Sequence, residues 1–319
     1  MSKLLSIVVP AYNEAEVIDA FHARLGTVLD GLEDLDVELV YVNDGSSDDT
    51  LTRLHALRAT NPRVAVLDLS RNFGKEIALT AGLDHTRGDA VVVIDADLQD
   101  PPELIPQLVE KWREGFDVVF ARRTERAGET WFKRTTAAGF YRVLDALSEE
   151  SPPRDTGDFR LLSRRAVDAL EGVRERHRFM KGLFHWVGFR QVAVPYQRDP
   201  RFAGDTKWNY WRLWNFALDG ITSFSTAPLR FATYIGVATA AFAFFYGLFI
   251  ILRTLLVGAD LPGYPSLMVV ILFLGGVQLT ALGIIGEYLG RTFDEVKQRP
   301  LYLVQAFEPP AASTPDPDA

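Results

Sequence analysis

The 319-residue sequence contains no cysteine, so disulfides, thiolate metal sites and a cysteine nucleophile are excluded. It also lacks a surplus of basic residues, because 34 Lys and Arg stand against 42 Asp and Glu, with a formal net charge of -8 and a pI near 5.3. Proteins that bind nucleic acid present a basic face to phosphates, so we expect no nucleic-acid partner. The apolar stretch at residues 1–10 is too short for a signal peptide and predicts a first strand.

Two long segments lack charged side chains altogether, residues 231–252 and 266–286. As a helix, either segment would cross about 30 Å of hydrocarbon. A buried core helix is the alternative, but two such runs after a polar first part of the chain favour membrane spans. The connection between them is short and rich in Gly and Pro, which predicts a hairpin. By the positive-inside rule, the basic residues on both flanks predict a cytoplasmic polar domain; they are Lys207, Arg212, Arg230, Arg291, Lys297 and Arg299.

Short β-rich runs alternate with amphipathic helical stretches over the first 125 residues. The predicted strands are residues 4–9, 37–42, 63–68, 90–94 and 116–120. This alternation predicts an α/β fold with a parallel sheet, in which ligands bind beyond the carboxyl ends of the strands. Polar motifs follow four of the strands, and we expect them to share one pocket. They begin at Pro10, Asn43, Ser70 and Asp95.

Two carboxylates, Asp95 and Asp97, stand one residue apart directly after the apolar run 91–94. Carboxylates at a strand end suit Mg²⁺ or Mn²⁺, which keep coordination positions open for substrate phosphates. An acidic turn after a buried strand is the alternative, because Asp-x-Asp is a common pattern. The polar motifs after the neighbouring strands favour the metal site.

Three further segments bear on the membrane and the carboxyl terminus. Residues 129–147 predict a helix with interleaved aromatic and basic side chains, typical either of a membrane-surface helix or of an amphipathic helix packed on the sheet. Residues 208–216 carry three tryptophans just before the first apolar segment, as aromatic belts do at headgroup depth. The tail from Glu308 is rich in Pro, Ala and Asp, and we expect it to be disordered.

A set of motifs resembles those of the family 2 glycosyltransferases in the polyprenyl-phosphate branch, which includes dolichol-phosphate mannose synthase. They lie at residues 9–14 (VPAYNE), 43–46 (NDGS), 72–76 (NFGKE), 95–102 (DADLQDPP), 155–161 (DTGDFRL), 178–182 (RFMKG) and 203–208 (AGDTKW). Together with the apolar segments, they look most like the bacterial bactoprenol-phosphate glucosyltransferases. That subgroup often has Gly-Glu-Ser-Lys-Tyr where residues 204–208 read GDTKW, a conservative difference that keeps the lysine.

The resemblance covers nearly the whole chain and implies a fold class and a domain plan. The fold would be α/β, a nucleotide-sugar-binding A-type glycosyltransferase domain with a Rossmann-like mixed sheet, followed by two transmembrane helices. Residues 1–207 would form the cytoplasmic glycosyltransferase domain and residues 208–230 an interfacial amphipathic segment. Residues 231–287 would form the membrane hairpin and residues 288–319 a cytoplasmic tail.

The activity implied by the resemblance is inverting, metal-dependent transfer of glucose from UDP-glucose to polyprenyl (undecaprenyl) phosphate. It would take place at the bacterial inner membrane and serve envelope or O-antigen (lipopolysaccharide) glycosylation, with a homo-oligomer such as a tetramer as the assembly. Transfer from GDP-mannose or a UDP-amino sugar is an alternative, as is a non-catalytic, membrane-anchored nucleotide-sugar binder. A processive synthase is disfavoured, because the sequence has no Gln-x-x-Arg-Trp motif.

On the donor side, the resemblance implies roles for two groups of residues. The expected nucleotide-binding residues are Pro10, Tyr12, Glu14, Asp44, Lys75 and Asp95. The expected ligands of Mg²⁺ or Mn²⁺ are Asp95, Asp97 and Gln99. Such a cation would neutralise the departing diphosphate.

On the acceptor side, the resemblance implies basic residues that hold phosphate and an acid that acts in transfer. The phosphate-binding residues would be Arg134, Lys181 and Lys207, and the catalytic residues Asp97, Asp158 and Arg122. Because a lipid phosphate is already anionic, we expect Asp158 to orient groups rather than to remove a proton; a plain turn residue is the alternative. Arg123 and Arg126 are expected to be solvated surface charges.

Overall fold

The computed structural model of the chain describes residues 2–124, 156–197, 227–257 and 263–311. Several expectations lie outside the described residues: the helix at 129–147, the aromatic segment at 208–216, Arg126, Arg134 and Lys207.

The described residues form one sheet flanked by helices, followed by two long apolar helices. The strands are β1 (Lys3–Ala11), β2 (Leu35–Asn43), β3 (Val64–Leu69), β4 (Ala90–Val93), β5 (Val118–Arg123), β6 (Thr156–Ser163), β7 (Gln191–Tyr196) and β8 (Val304–Glu308). The helices are α1 (Ile18–Leu29), α2 (Thr50–Thr60), α3 (Lys75–Asp84), α4 (Ile105–Arg113), α5 (Arg164–Glu171), α6 (Met180–Trp186), α7 (Ala227–Val257) and α8 (Tyr264–Val296), with a 3-10 turn at Pro102–Leu104.

The strand order across the sheet is β7-β5-β6-β4-β1-β2-β3-β8. The first four strands are parallel to one another, as the alternating pattern predicts. The whole sheet is mixed, because β6 runs antiparallel to both β4 and β5, and β8 runs antiparallel to β3. The five strands predicted from the sequence and the mixed A-type sheet are confirmed.

The segment after the second apolar helix corrects one expectation. Residues 288–319 were expected to form a tail, with disorder from Glu308, but β8 within this range adds to the edge of the sheet beside β3. Beyond the strand, Ala311 N donates a hydrogen bond to Pro62 O at 2.9 Å. Pairing with β8 covers the main-chain groups of β3 that would otherwise be exposed at a sheet edge.

Apolar side chains on both faces of the sheet hold the helices. On β1, Leu5 and Ile7 are buried on the face that packs against α1 and α4, and Val8 is buried on the face against α3. Strands covered on both sides are apolar throughout rather than alternating, which explains their continuous apolar runs. The approach of α3 is close, since a Cβ at Gly82 would lie 2.3 Å from Val8 Cγ1.

The two apolar helices, α7 and α8, contain the segments predicted to span a membrane. Within Phe231–Leu256 and Val269–Val296, an 18-residue window has a mean hydropathy of 2.3 and 2.2, respectively, and neither window is buried against the other described residues. By length and composition both helices could cross a membrane. They are therefore candidate membrane spans.

Candidate active site

The site lies where the strand order reverses, between β1 and β4. Because β2 and β4 flank β1 and all three run parallel, their carboxyl ends open onto the same edge. A crevice at such a point is the usual ligand site of an open α/β sheet. Pro10, one of the expected nucleotide contacts, is partly buried near the end of β1 at this edge.

The loop after β1 is tied to the residues after β2. Asn13 N donates to Ser46 Oγ at 3.1 Å, and Glu14 N donates to Thr50 Oγ1 at 2.9 Å. These bonds use main-chain N–H groups and fix the path of the loop. The adjacent Tyr12 side chain stays 44% exposed, so its ring is available to contact a ligand such as a base.

Asp44 holds the loop between β3 and α3. Its carboxylate is buried and accepts hydrogen bonds from Phe73 N at 2.7 Å and Gly74 N at 2.9 Å. Burial raises the pKa of Asp44, and the two main-chain donors oppose that rise. Next to it, Gly45 has φ +63°, and a Cβ there would lie 2.4 Å from the carbonyl carbon of Arg71. Asp44 thus has a structural role beside the nucleotide contact expected of it.

Lys75 connects Asp95, an expected metal ligand, with Asp158, an expected catalytic acid. Its Nζ donates to Asp95 Oδ2 at 2.7 Å and to Asp158 Oδ2 at 2.6 Å. The acids meet because β4 and β6 are antiparallel with Val93 opposite Arg160, and two more residues in that register bring Asp95 opposite Asp158. Three separate motifs of the sequence therefore converge on one ammonium group.

Asp158 is held as a carboxylate in a buried position. Its side chain is 7% exposed, and burial opposes ionisation, but Lys75, Lys181 and Arg160 together hold its pKa below the usual range. A carboxylate with a lowered pKa is a weak base. Its other oxygen, Oδ1, is buried with no hydrogen-bond partner among the described residues. Buried polar atoms are nearly always paired, so an unpaired one marks capacity left for another group.

The neighbouring carboxylates are crowded. Burial, and secondarily the charge of Asp158, raise the pKa of Glu76 to about 7. Burial also raises the pKa of Asp95, with Lys75 opposing the rise and Asp158 adding to it. Glu76 Oε2 accepts a hydrogen bond from Met180 N at 3.0 Å, which attaches α3 to the start of α6. A further cation at the site would relieve this repulsion.

The expected metal ligands offer an oxygen donor set of limited size. Asp95 and Asp97 are partly buried at the end of β4, and Asp97 Oδ1 accepts a hydrogen bond from Gln99 N at 3.1 Å. The side chain of Gln99 is buried. Within the described ranges, no three His, Cys, Asp or Glu side chains converge to hold a metal. Two carboxylates fit Mg²⁺ or Mn²⁺ that takes its remaining oxygens from phosphates and water, rather than a caged structural ion.

Arg160 supports the turn that carries Asp158, and the sequence motifs did not single it out. Its buried guanidinium donates to Gly157 O at 2.7 Å and to Asp158 O at 3.3 Å, and lies 3.9 Å from the ring centroid of Phe184. Burial lowers its pKa to about 10. The side chain therefore fixes the main chain of the turn in addition to contributing positive charge.

The two arginines at the end of β5 are placed differently from what was expected. Arg122, the predicted catalytic arginine, is exposed, whereas Arg123, predicted to be a solvated surface charge, is partly buried. Arg123 Nε donates to Tyr196 Oη at 3.3 Å, and Tyr196 in turn donates to the buried Asp100. Burial opposes the charge of Arg123, but Tyr196, Asp100 and Asp95 raise its pKa, so it faces the acidic site. The expectation for Arg123 was wrong.

Most of the predicted site residues within the described ranges thus come together at one edge. Those gathered around Lys75 and the end of β4 are Asp95, Asp97, Asp158 and Lys181, and those near the end of β1 and in the adjoining loops are Pro10, Tyr12, Glu14, Asp44 and Gln99. Lys181 is partly buried on α6 and close enough to lower the pKa of Asp158. Arg122 is exposed, opposite Thr156 of β6 in the strand register.

Residues 6–171, more than half of the chain, match the family described as Glycosyl transferase family 2. The chain is a member of this family. Residues 227–292, which cover most of α7 and α8, match the GtrB C-terminal hairpin. This family 2 protein is therefore a glycosyltransferase, and the family, the fold class and the enzymatic nature expected from the motifs are confirmed.

Relatives match this glycosyltransferase over nearly its whole length. An uncharacterized glycosyltransferase of Synechocystis is 57% identical, with 94% of each chain covered. A prophage bactoprenol glucosyl transferase homolog of Escherichia coli is 49% identical over 94% of this chain and 98% of its own. The bactoprenol glucosyl transferase of Shigella phage SfX is 49% identical over 95% of this chain and 99% of its own.

Among solved structures, the chain is similar to glucosyl-3-phosphoglycerate synthase from Mycobacterium tuberculosis, in complex with Mn²⁺, UDP and phosphoglyceric acid. It is 25% identical over 69% of this chain and 76% of its own, with a TM-score of 0.46.

Proposed function

We propose that this glycosyltransferase transfers glucose from UDP-glucose to a polyprenyl phosphate, such as undecaprenyl phosphate, with inversion at the anomeric carbon. The observation that carries the catalytic part is Lys75, bonded to both Asp95 and Asp158 at the switch point of the sheet. The choice of glucose and of a lipid phosphate is supported by the relatives named bactoprenol glucosyl transferase, which are 49% identical over nearly the full length.

The reaction needs positioning more than it needs a base. An oxygen of the lipid phosphate attacks the anomeric carbon, the bond from that carbon to the diphosphate breaks, and UDP leaves with the bonding electrons. Because the attacking phosphate is already anionic, no proton has to be removed from it. This agrees with the lowered pKa of Asp158, which stays ionised and is a poor proton acceptor. Asp158 would instead help to orient Lys75, which is also bonded to Asp95, and attract the nearby charge of Lys181.

The donor would bind across the ends of β1 and β4. Tyr12, Glu14 and Pro10 would contact the base and ribose, and Asp95 and Asp97, with Gln99, would hold Mg²⁺ or Mn²⁺ beside the diphosphate. When bound, such a cation supplies positive charge that stabilises the leaving diphosphate. Arg123 would add a fixed positive charge on the other side of Asp95.

The acceptor explains the two apolar helices. The apolar parts of α7 and α8 would cross the bacterial inner membrane as a hairpin, with the catalytic domain on the cytoplasmic side, as the flanking basic residues predict. A lipid phosphate would then reach the site from the membrane surface. We also propose a homo-oligomer such as a tetramer, and crosslinking in membranes that yields only monomers would contradict it.

The test is transfer of radiolabelled sugar by the purified full-length protein to undecaprenyl phosphate. UDP-glucose, UDP-N-acetylglucosamine and GDP-mannose are offered in parallel, each with and without EDTA. Labelled lipid from UDP-glucose alone, lost with EDTA, is the expected result. Label from another donor would replace the sugar and keep the reaction class. Tight binding of a UDP-sugar with no labelled lipid from any donor would instead favour a non-catalytic binder.

A further inference from the structure

The carboxyl-terminal end of the second apolar helix contacts the catalytic domain directly. Arg176, in the connection between α5 and α6, donates from its main-chain N to Glu295 Oε1 at 2.7 Å. Its guanidinium donates to the carbonyl oxygen of Arg299, and His177 Nε2 lies 3.3 Å from Asp294 Oδ2. We call these contacts the juxtamembrane contact. It joins a loop of the catalytic domain to the last turn of α8 and the residues after it.

A second attachment follows a few residues along the chain. Tyr302 Oη donates to Asp84 Oδ2 at 2.8 Å, and Arg174 Nη1 donates to the same oxygen at 2.6 Å. Ser70 N donates to Leu303 O at 2.9 Å, and β8 then pairs with β3. The end of α8 is thus held to the domain both through the loop before α6 and through the last residue of α3.

These two attachment points belong to the elements that carry the positive charges of the site. Asp84 ends the helix that begins with Lys75, and a helix of this length is a rigid spacer of about 15 Å. The loop with Arg176 leads directly into Met180 and Lys181, and Met180 N is bonded to Glu76. A shift of the domain relative to α8 would therefore change the position of both ammonium groups relative to the apolar helices.

We propose that Arg176, His177, Asp294 and Glu295 are positioning residues, which set the height of Lys75 and Lys181 above the membrane so that they meet a phosphate whose tail is embedded. This inference rests on the proposed lipid acceptor. Exposed hydrogen bonds and ion pairs contribute little to stability, so the effect of the contact on folding should be small. Its effect on transfer should be larger, because small errors in the placement of reacting groups are costly.

The first test reverses two charges in the variant Asp294→Lys/Glu295→Lys. The matched control is Glu287→Lys, on the same helix, because Glu287 is bonded at 3.1 Å to Arg291 of α8 itself. Transfer of glucose is measured to undecaprenyl phosphate in vesicles and to a short-chain, water-soluble prenyl phosphate. The double variant should raise KM for the vesicle acceptor about tenfold and change kcat/KM for the soluble acceptor less than about twofold, since only the embedded phosphate has a fixed height.

The control variant should behave as the wild type with both acceptors. An equal loss with both acceptors would show that the contact maintains the structure of the site itself and does not set the height of the site above the membrane. That result would overturn the proposal. No loss with either acceptor would overturn it as well. If the wild type transfers glucose to neither acceptor, the proposed function fails instead.

A second test needs no substrate, so its result can be interpreted even if the wild type transfers no glucose. Because the chain contains no cysteine, His177→Cys/Asp294→Cys can be linked by a short bifunctional maleimide in membranes. The matched pair His177→Cys/Glu287→Cys places the second thiol about 10 Å further along α8. Linkage of the first pair alone is expected. Equal linkage of both pairs, or linkage of neither, would contradict the proposed contact.

Discussion

Two buried carboxylates of the same sheet, Glu38 on β2 and Asp158 on β6, differ in how completely their oxygens are bonded. Glu38 Oε1 accepts from Ser6 Oγ at 2.6 Å and from Arg87 N at 2.8 Å, and Oε2 accepts from the Arg87 guanidinium at 2.7 Å. Asp158 Oδ2 accepts from Lys75, whereas Oδ1 has no hydrogen-bond partner among the described residues.

This difference separates a structural acid from a functional one. Complete bonding of Glu38 joins β1, β2 and the loop before β4, and leaves nothing for a ligand to bind. Asp158 lies among carboxylates whose pKa values are raised by burial and by one another, so its surroundings favour the arrival of further positive charge. Substitution of Asp158 should therefore affect transfer, whereas substitution of Glu38 should affect the stability of the fold with little effect on transfer.

The largest effect is expected from Asp158→Asn. Without the carboxylate, Lys75 and Lys181 lose the charge that orients them, and transfer should fall about 10²–10³-fold. The midpoint of thermal unfolding in detergent should fall as well, because the lowered pKa means that the ionised carboxylate stabilises the folded protein, so transfer is compared well below that midpoint. Initial rates of lipid glucosylation and thermal unfolding are measured on the same preparation. Normal transfer would end the role assigned to Asp158.

For Glu38→Gln, we expect a loss of stability with little loss of transfer. Ser6 and Arg87 would lose their charged acceptor, and the free energy of unfolding should fall by about 2–3 kcal/mol, moderated because Arg87 is half exposed and can turn to water. Transfer well below the melting temperature should stay within about twofold of the wild type. Denaturant unfolding together with the transfer assay checks both parts. A large loss of transfer in folded protein would remove the contrast between the two acids.

A smaller effect distinguishes the two arginines of β5. Arg123→Gln should lower transfer about tenfold, because this side chain faces Tyr196 and the acids of the site. Arg122→Gln should stay within about twofold, since Arg122 is exposed. The initial rates of the two variants, measured at saturating donor, are each compared with the rate of the wild type. A greater loss with Arg122→Gln would restore the role that the family resemblance implies for it.

The smallest effect is expected for Glu76, a third acid, next to Lys75 on α3. Its pKa is about 7 in the folded protein against 4.5 as the ordinary value. Between these pH values the folded state binds more protons than the unfolded state, so the free energy of unfolding falls as pH rises. Glu76→Gln should remove this fall and keep an acceptor for Met180 N. The midpoint of thermal unfolding is measured at about pH 5 and about pH 8, and the difference between the two midpoints should be smaller for the variant than for the wild type. Equal differences would contradict the raised pKa.

Much of the fold could be predicted because buried strands correspond to apolar runs in the sequence. The strands β1 to β5 follow such runs, and Asp95 and Asp97 follow β4 directly. β8 could not be recognised, because Val304–Glu308 is a short, mostly exposed edge strand whose partner is far away in the chain. Pairing of this kind depends on tertiary structure rather than on local pattern.

Parts of the site also required the structure. Arg123 lies on the same face of β5 as the buried Val119 and Ala121 and opposite Tyr196 of β7, so strand alternation could have distinguished it from Arg122. The pairing of Lys75 with both Asp95 and Asp158 could not be predicted, because it depends on the register of β4 against β6. The same holds for Arg160, whose role depends on a turn and on the ring of Phe184.

The most direct test of the central claim measures cation binding at the end of β4. Mn²⁺ is titrated into the purified protein with and without UDP, and the electron paramagnetic resonance signal of free Mn²⁺ is followed. We expect saturable binding that UDP strengthens, that Asp95→Asn abolishes and that Glu38→Gln leaves unchanged. Binding that survives Asp95→Asn, or is lost equally in Glu38→Gln, would contradict the assignment of this site.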